Sequence, residues 1–230
     1  ALKITRTALA VVTSMGAVMM SRIGHYHASK EESKLNSALL ESYNFVWFLS
    51  IPICFGLMAV SNNIVPWFFG EEYGEVSLLM KVLAPLVVFI GISNVTGIQY
   101  LVPVGRQRDY TLSVISGSVV NLILNSILIP MYQSLGAAIA SICAEFTVMV
   151  VQLYIVRTKI SIPSILKLSS KYFVAGIIMF MSLSLIGKYL KPSITSTLLL
   201  VVIGFVIYTL TLLLERDRMV KEFLNIRKKD

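Results

Sequence analysis

The stretch YTLSVISGSVVNLILNSILIPMYQSLGAAIASICA, residues 110–144, decides the fold. It contains no Asp, Glu, Lys or Arg. About 20 apolar residues at roughly 1.5 Å each cross a hydrocarbon core about 30 Å thick. The stretch is therefore too long for one crossing and fits two helices joined tightly. Pro130 is read as the end of the first, because proline cannot donate the next backbone hydrogen bond. The segment YQSLGAA, residues 132–138, restarts a helix almost at once, which predicts a helical hairpin.

Working outward, residues 42–70, 82–105 and 192–214 also lack any charged side chain. The 230-residue chain is 56% hydrophobic and 14% charged, with a mean hydropathy of +0.79. A soluble domain carries about a quarter charged residues. The fold class is thus all-α, a polytopic transmembrane bundle of about seven helices. Spans are predicted near 2–23, 38–60, 77–100, 109–129, 135–156, 172–188 and 194–214, with kinks at Pro52 and Pro85. The runs do not alternate with period two, which argues against a β-barrel. Cys54 and Cys143 fall inside spans and read as small buried hydrophobes rather than a disulfide framework. The first span lacks the cleavage site of a signal peptide.

The net charge of +8 belongs to loops and does not point to nucleic acid. One set of connections holds Arg22, Lys30 and Lys34, then Arg106 and Arg108, then Arg157, Lys159, Lys167 and Lys171; the tail adds a further basic cluster. The alternate connections hold only Lys188 and Lys191. The excess of loop Lys and Arg marks the cytoplasmic side. The N-terminus of this chain is then expected outside and the C-terminus in the cytoplasm. That orientation, with no initiator Met, leads us to expect further spans upstream. The amphipathic segments IPSILKLSSKYF (162–173) and DRMVKEFLNIRKK (217–229) read as helix ends lying on an anionic leaflet. Trp67, Phe68 and Phe69 read as an interfacial aromatic belt.

Polar residues inside spans are the candidate site. Lys3 and Arg6 share one face of the first span, and Arg6 lies about 24 Å along the axis from Arg22. They either snorkel to the surface or face a water-filled cavity, and an intramembrane cation is by default functional. Lys81, alone at the start of the third span, reads as snorkelling. Glu145 lies mid-span; it is either a structural partner of a neighbouring helix or an ion-coupling carboxylate. Asn121 and Asn125, at i and i+4, fit amide glue between helices or sugar binding. Gln99, Tyr100 and Gln152 fit an inner vestibule. His25 and His27 read as a solvated loop, without the ligand cluster a metal needs. No phosphate-binding loop, nucleophile elbow or zinc-protease motif is present, so an enzyme is not expected, nor a cofactor.

Four segments together resemble a known family: VVTSMGAVMMSRIGHYHASK (11–30), IPICFGLMAVSNNIVPWFFGEEY (51–73), GIQYLVPVGRQRDY (97–110) and NLILNSILIPMYQSLGAAIASICAE (121–145). They are similar to bacterial oligosaccharide flippases, the polysaccharide branch of the multidrug, oligosaccharidyl-lipid and polysaccharide exporter superfamily. The likeness covers roughly residues 1–157; the last two spans match only as a hydrophobic pair. Ser21 stands where the family commonly has proline. The resemblance implies about fourteen helices, two six-helix lobes plus a terminal pair, with this chain as helices eight to fourteen. Residues 1–156 would be five helices of the second lobe, and 157–230 the terminal pair with a basic tail. It implies a multi-pass protein of the bacterial cytoplasmic membrane that flips polyprenyl-pyrophosphate-linked oligosaccharide repeat units for capsule, O-antigen or exopolysaccharide synthesis. Implied partners are that substrate, membrane lipids, an N-terminal lobe and a polysaccharide polymerase. On this reading Lys3 and Arg6 attract the pyrophosphate or an acidic sugar; Asn121, Asn125 and Gln99 stay candidate substrate contacts and Glu145 a candidate coupling site from the polar residues themselves, beside the structural roles given above.

Other classes of membrane protein fit these residues less well. A retinal protein needs a lysine in its last helix, and 192–214 has none. The inner end of the third span, LVPVGRQRDY, lacks the arrangement of a G-protein-coupled receptor. A multidrug exporter of organic cations would favour acidic cavity residues, whereas Lys3 and Arg6 favour an anion. A non-transporting membrane subunit is the remaining alternative.

Overall fold

A computed structural model of the chain describes residues 2–217 and 219–221. The described residues contain helices and connections but no strand. Six helical units are long and apolar enough to cross a membrane. The first combines α1 (Leu2–Thr13) and α2 (Gly16–Ala28). Next come α3 (Glu32–Phe69) and a broken unit of α4 (Gly74–Leu83), α5 (Leu86–Ser93) and a π-helical stretch, Asn94–Leu101. They are followed by α6 (Gln107–Val156), α7 (Ile162–Gly187) and α8 (Ile194–Leu214).

The 50 residues of α6 would reach about 75 Å if straight. They do not run straight. Gln133 has φ 48° and ψ −122°, a conformation L-residues rarely adopt, and the chain reverses there. The two arms then lie antiparallel: Gln152 Nε2 donates to Ser113 Oγ at 3.0 Å, and a side chain added at Gly117 would meet the Ala144 carbonyl at 2.9 Å. This is the expected hairpin, and it brings the number of spans to seven. Its turn is not where proline placed it. Helical structure continues through Pro130 to Tyr132, and the break falls at Gln133.

Proline acts differently at its other positions. Pro85 separates α4 from α5, as expected of a residue without an N–H. Helix α3 runs unbroken through Pro52 and Pro66. It therefore continues to Phe69, well beyond the expected span end, and stops at Gly70, whose φ of 106° suits glycine. The segment 162–173 is a helix end, as expected: it forms the first turns of α7, started by Pro163. Of the second amphipathic segment, only Asp217 and Met219–Lys221 are described; the rest lies outside the described residues. His25 and His27 sit in the last turn of α2 rather than in a loop.

Helix α3 is the hub. Helices α7 and α8 pack along it, as do α1, α2, α4 and α5. Close approach to α7 depends on Gly176, where an added side chain would strike Ile51 and Phe55 at 2.7 Å. The hairpin α6 packs on α4, α5 and the π-helical stretch. The core runs along α3 through Leu39, Tyr43, Val46, Ile51 and Val60, joined by Val87 and Ile92 from α5 and by Tyr172 and Leu183 from α7. The outer faces of α6 and α8 carry exposed Leu112, Ile115, Leu122, Ile127, Leu198, Val202, Phe205 and Leu210. A water-facing surface would not hold such continuous apolar bands; a bilayer does. At one end Trp67 Nε1 donates to Thr197 Oγ1 at 2.9 Å, while the Phe68 and Phe69 rings meet edge to face with centroids 4.9 Å apart and Phe68 exposed.

Candidate functional site

The first span presents two different faces. Val12, Met19 and Ile23 are buried against the bundle. The opposite stripe is exposed and consists of Lys3, Arg6, Thr7, Ser14, Ser21 and Arg22, with Ala10, Val11, Ala17 and Val18 between them. The positions 3, 6/7, 10/11, 14, 17/18 and 21/22 recur every three to four residues, so these side chains share one face. Two of the hydroxyls bond back to the helix: Thr7 donates to the Lys3 carbonyl at 3.0 Å, and Ser14 to the Val11 carbonyl at 2.8 Å. Among the described residues neither Lys3 nor Arg6 has an ion-pair partner, and Arg22 approaches Glu41 only to 3.8 Å. A face of cations, hydroxyls and small residues is costly against lipid. The exposed face of α6 also carries hydroxyls, Thr111, Ser118 and Ser126, so it is the cations that set the first span apart.

An apolar groove of about 440 Å³ opens beside this helix. Ala8 forms one wall, Leu49, Pro52 and Leu57 of α3 the floor, and Met179 and Phe205 of α7 and α8 the far side. An apolar cleft thus lies within two turns of two unpaired cations.

The other expected site residues do not join this stripe. Gln99 is 3% exposed and closed off from any open vestibule. Its Nε2 donates to Asn94 Oδ1 at 3.1 Å, while its Oε1 is buried without a partner. Gly16 makes room for the pair, since an added side chain there would lie 3.2 Å from Asn94 Oδ1. Gln152 and Tyr100 are buried as well. Asn125 donates to Asn121 at 2.8 Å, so this amide bond runs along one helix and does not bridge two. Glu145 is half-buried on the second arm of α6, with no hydrogen-bond or ion-pair partner among the described residues. Lys81 does not simply snorkel: its Nζ donates to Asn62 Oδ1 at 2.8 Å. No cluster among the described residues could hold a metal ion.

One polar cluster escaped the sequence reading. Asp217, just past α8, is buried and pairs with Lys171, while its Oδ1 accepts from the Met219 backbone at 2.8 Å. Tyr172 joins it to Asn44 of α3. An Asp directly before an amphipathic segment is an N-cap signal, and that signal was available in the sequence. A cavity of about 790 Å³ lies alongside, lined by Glu41, Asn44, Ser164, Lys167 and Lys171.

Comparison with known proteins bears on what this bundle is. Among solved structures, "Lipid II flippase MurJ, inward closed conformation" shares the fold, with a TM-score of 0.69 at 18% identity over 90% of this chain and 46% of that one. Among curated proteins, "Probable low-salt glycan biosynthesis flippase Agl15" of Haloferax volcanii is 25% identical over 141 residues, 60% of this chain and 29% of its own length. "Lipid II flippase MurJ" of Bacillus subtilis is 24% identical over 142 residues, again 60% of this chain and 26% of its length. The homologues of this chain are thus flippases. These flippases are transporters, not enzymes. No family model matches the chain. The chain spans less than half the length of the flippase homologues it matches.

Proposed function

We propose that this chain forms the second lobe and terminal helix pair of a flippase that moves polyprenyl-pyrophosphate-linked oligosaccharide units across the bacterial cytoplasmic membrane for surface polysaccharide synthesis. The observation that carries the reading is the exposed stripe of the first span. Two cations without partners stand on a membrane-crossing face that also carries Thr7, Ser14, Ser21 and Arg22 among alanines and valines. Such a face fits the wall of a water-filled cavity completed by a further lobe. Inside low-dielectric walls a cation attracts a pyrophosphate far more strongly than in bulk water. The neighbouring apolar groove offers a surface for a prenyl chain, so headgroup and tail would find suitable surroundings within about 10 Å along one helix. The distribution of loop cations supports an external N-terminal end and a cytoplasmic C-terminal end for this chain.

The test is replacement of Lys3 and Arg6 by Gln in the full-length protein, expressed in a flippase-deleted strain. Surface polysaccharide should be lost while the amount of protein in the membrane stays normal. Lys3→Arg or Arg6→Lys should retain partial export, because charge is kept. Full complementation by the double Gln variant at matched level would remove the cavity reading.

A further inference from the structure

A second cationic pocket lies at the other end of α3, away from Glu41 and Arg22. It measures about 440 Å³ and is bounded by Asn62 and Asn63 of α3, Lys81 of α4, Ser184 of α7, and Lys188 with Pro192 beyond it. Its polar lining is two lysines, two asparagines and a serine, with no carboxylate. Two ammonium groups that share one concave surface repel each other unless an anion lies between them.

The local construction fixes several of these groups. Asn62 Oδ1 accepts from both Ser77 Oγ at 2.6 Å and Lys81 Nζ at 2.8 Å. With its oxygen held this way, the Asn62 amide keeps its NH₂ as donor. Asn63 is only 4% exposed, lines the same pocket, and has no side-chain hydrogen-bond partner among the described residues. Its amide atoms are not sealed in the interior, so they stay available to a ligand in the pocket. Gly187 permits its position, since an added side chain there would lie 3.2 Å from Asn63 Oδ1. Lys188 is exposed at the end of α7 and likewise has no partner among the described residues. It can therefore turn to the pocket without breaking a contact.

From Glu41 to Asn62 is about 32 Å along α3, close to the thickness of the hydrocarbon core. The pocket then sits at headgroup level when Glu41 sits at the opposite boundary. Its ligand must be compact, anionic and rich in acceptors. Lysine binds phosphate well as a point charge, and asparagine amides supply further donors to its oxygens.

We infer that the Lys81–Lys188 pocket binds a phosphate group, supplied by the headgroup of an anionic membrane lipid. The inference is independent of the transport reading, because it is tested without any transported cargo.

The experiment uses purified full-length protein in phosphatidylcholine vesicles, with and without phosphatidylglycerol, and in phosphatidylcholine with added inorganic phosphate. Lipid retention is read by native mass spectrometry and protection by thermal unfolding. Phosphatidylglycerol should be retained over phosphatidylcholine. Retention should fall about tenfold in Lys81→Gln/Lys188→Gln, the scale of losing charge-assisted hydrogen bonds. Lys188→Gln alone, which breaks no internal contact, should weaken it in the same direction. Lys191→Gln, a neighbouring lysine outside the pocket, should leave it unchanged. Protection by inorganic phosphate, absent in the double variant and without preference for phosphatidylglycerol, would support the oxyanion site but make soluble phosphate its source. Equal lipid retention in wild type and the double variant, with no phosphate effect, would overturn the proposal. So would an equal loss in Lys191→Gln, which would mark a diffuse surface charge effect.

Discussion

The Tyr172 hydroxyl lies 3.2 Å from Asp217 Oδ2 and 2.8 Å from Asn44 Oδ1, tying the segment after α8 to both α7 and α3. Asp217 completes the tie with its Lys171 pair and by accepting backbone N–H groups of Met219 and Val220. Replacing Asp217 with Ala removes a helix cap and leaves Lys171 unpaired, a loss of about 2 kcal/mol. Asp217→Asn keeps a capping oxygen and should lose less. Thermal unfolding of the two variants in detergent checks the order; equal stability of wild type and Asp217→Ala would show that the cluster holds nothing in place.

The hairpin of α6 rests on backbone proximity. A side chain at Gly136 would press into the Leu128 carbonyl of the opposite arm. Gly136→Ala should therefore destabilise by about 1–3 kcal/mol, the usual range for overpacking. Gly74→Ala provides the contrast, since nothing lies within 4 Å of an added side chain there and alanine is the better helix former. If both variants melt with the wild type, the tight crossing is not real.

Orientation is accessible through single cysteines. Ser33 and Ser134 are both exposed, near opposite ends of the bundle. In intact cells a membrane-impermeant thiol reagent should label Ser134→Cys, and should reach Ser33→Cys only after the cytoplasm is opened. The reverse pattern would invert the proposed topology.

Glu145 separates coupling from simple residence in the membrane. Glu145→Gln preserves size and hydrogen-bonding capacity but removes the charge. With no partner among the described residues to lose, the full-length variant should retain substantial export at normal membrane level. Normal expression with abolished export would instead make this carboxylate the coupling site.

What the sequence determined by itself was the set of crossings. A charge in hydrocarbon is costly wherever it occurs, so charge-free runs report membrane passage without knowledge of any neighbour. The stretch 110–144 thus yielded both arms of the hairpin, and Lys3 and Arg6 stood out as exceptions within an apolar span. The exact turn was another matter. Pro130 is compatible with a helix when packing holds the backbone, and the reversal fell three residues later at Gln133. Polar partnership was beyond local reading altogether. Gln99 turned inward to Asn94, and Asn121 met Asn125 on its own helix. The pocket at Lys81 draws on α3, α4 and α7, and the Asp217 cluster on α3, α7 and the chain beyond α8. Each is assembled from residues tens to more than a hundred positions apart. Only packing decides which faces of which helices meet, because periodicity marks a face without naming the helix it will touch.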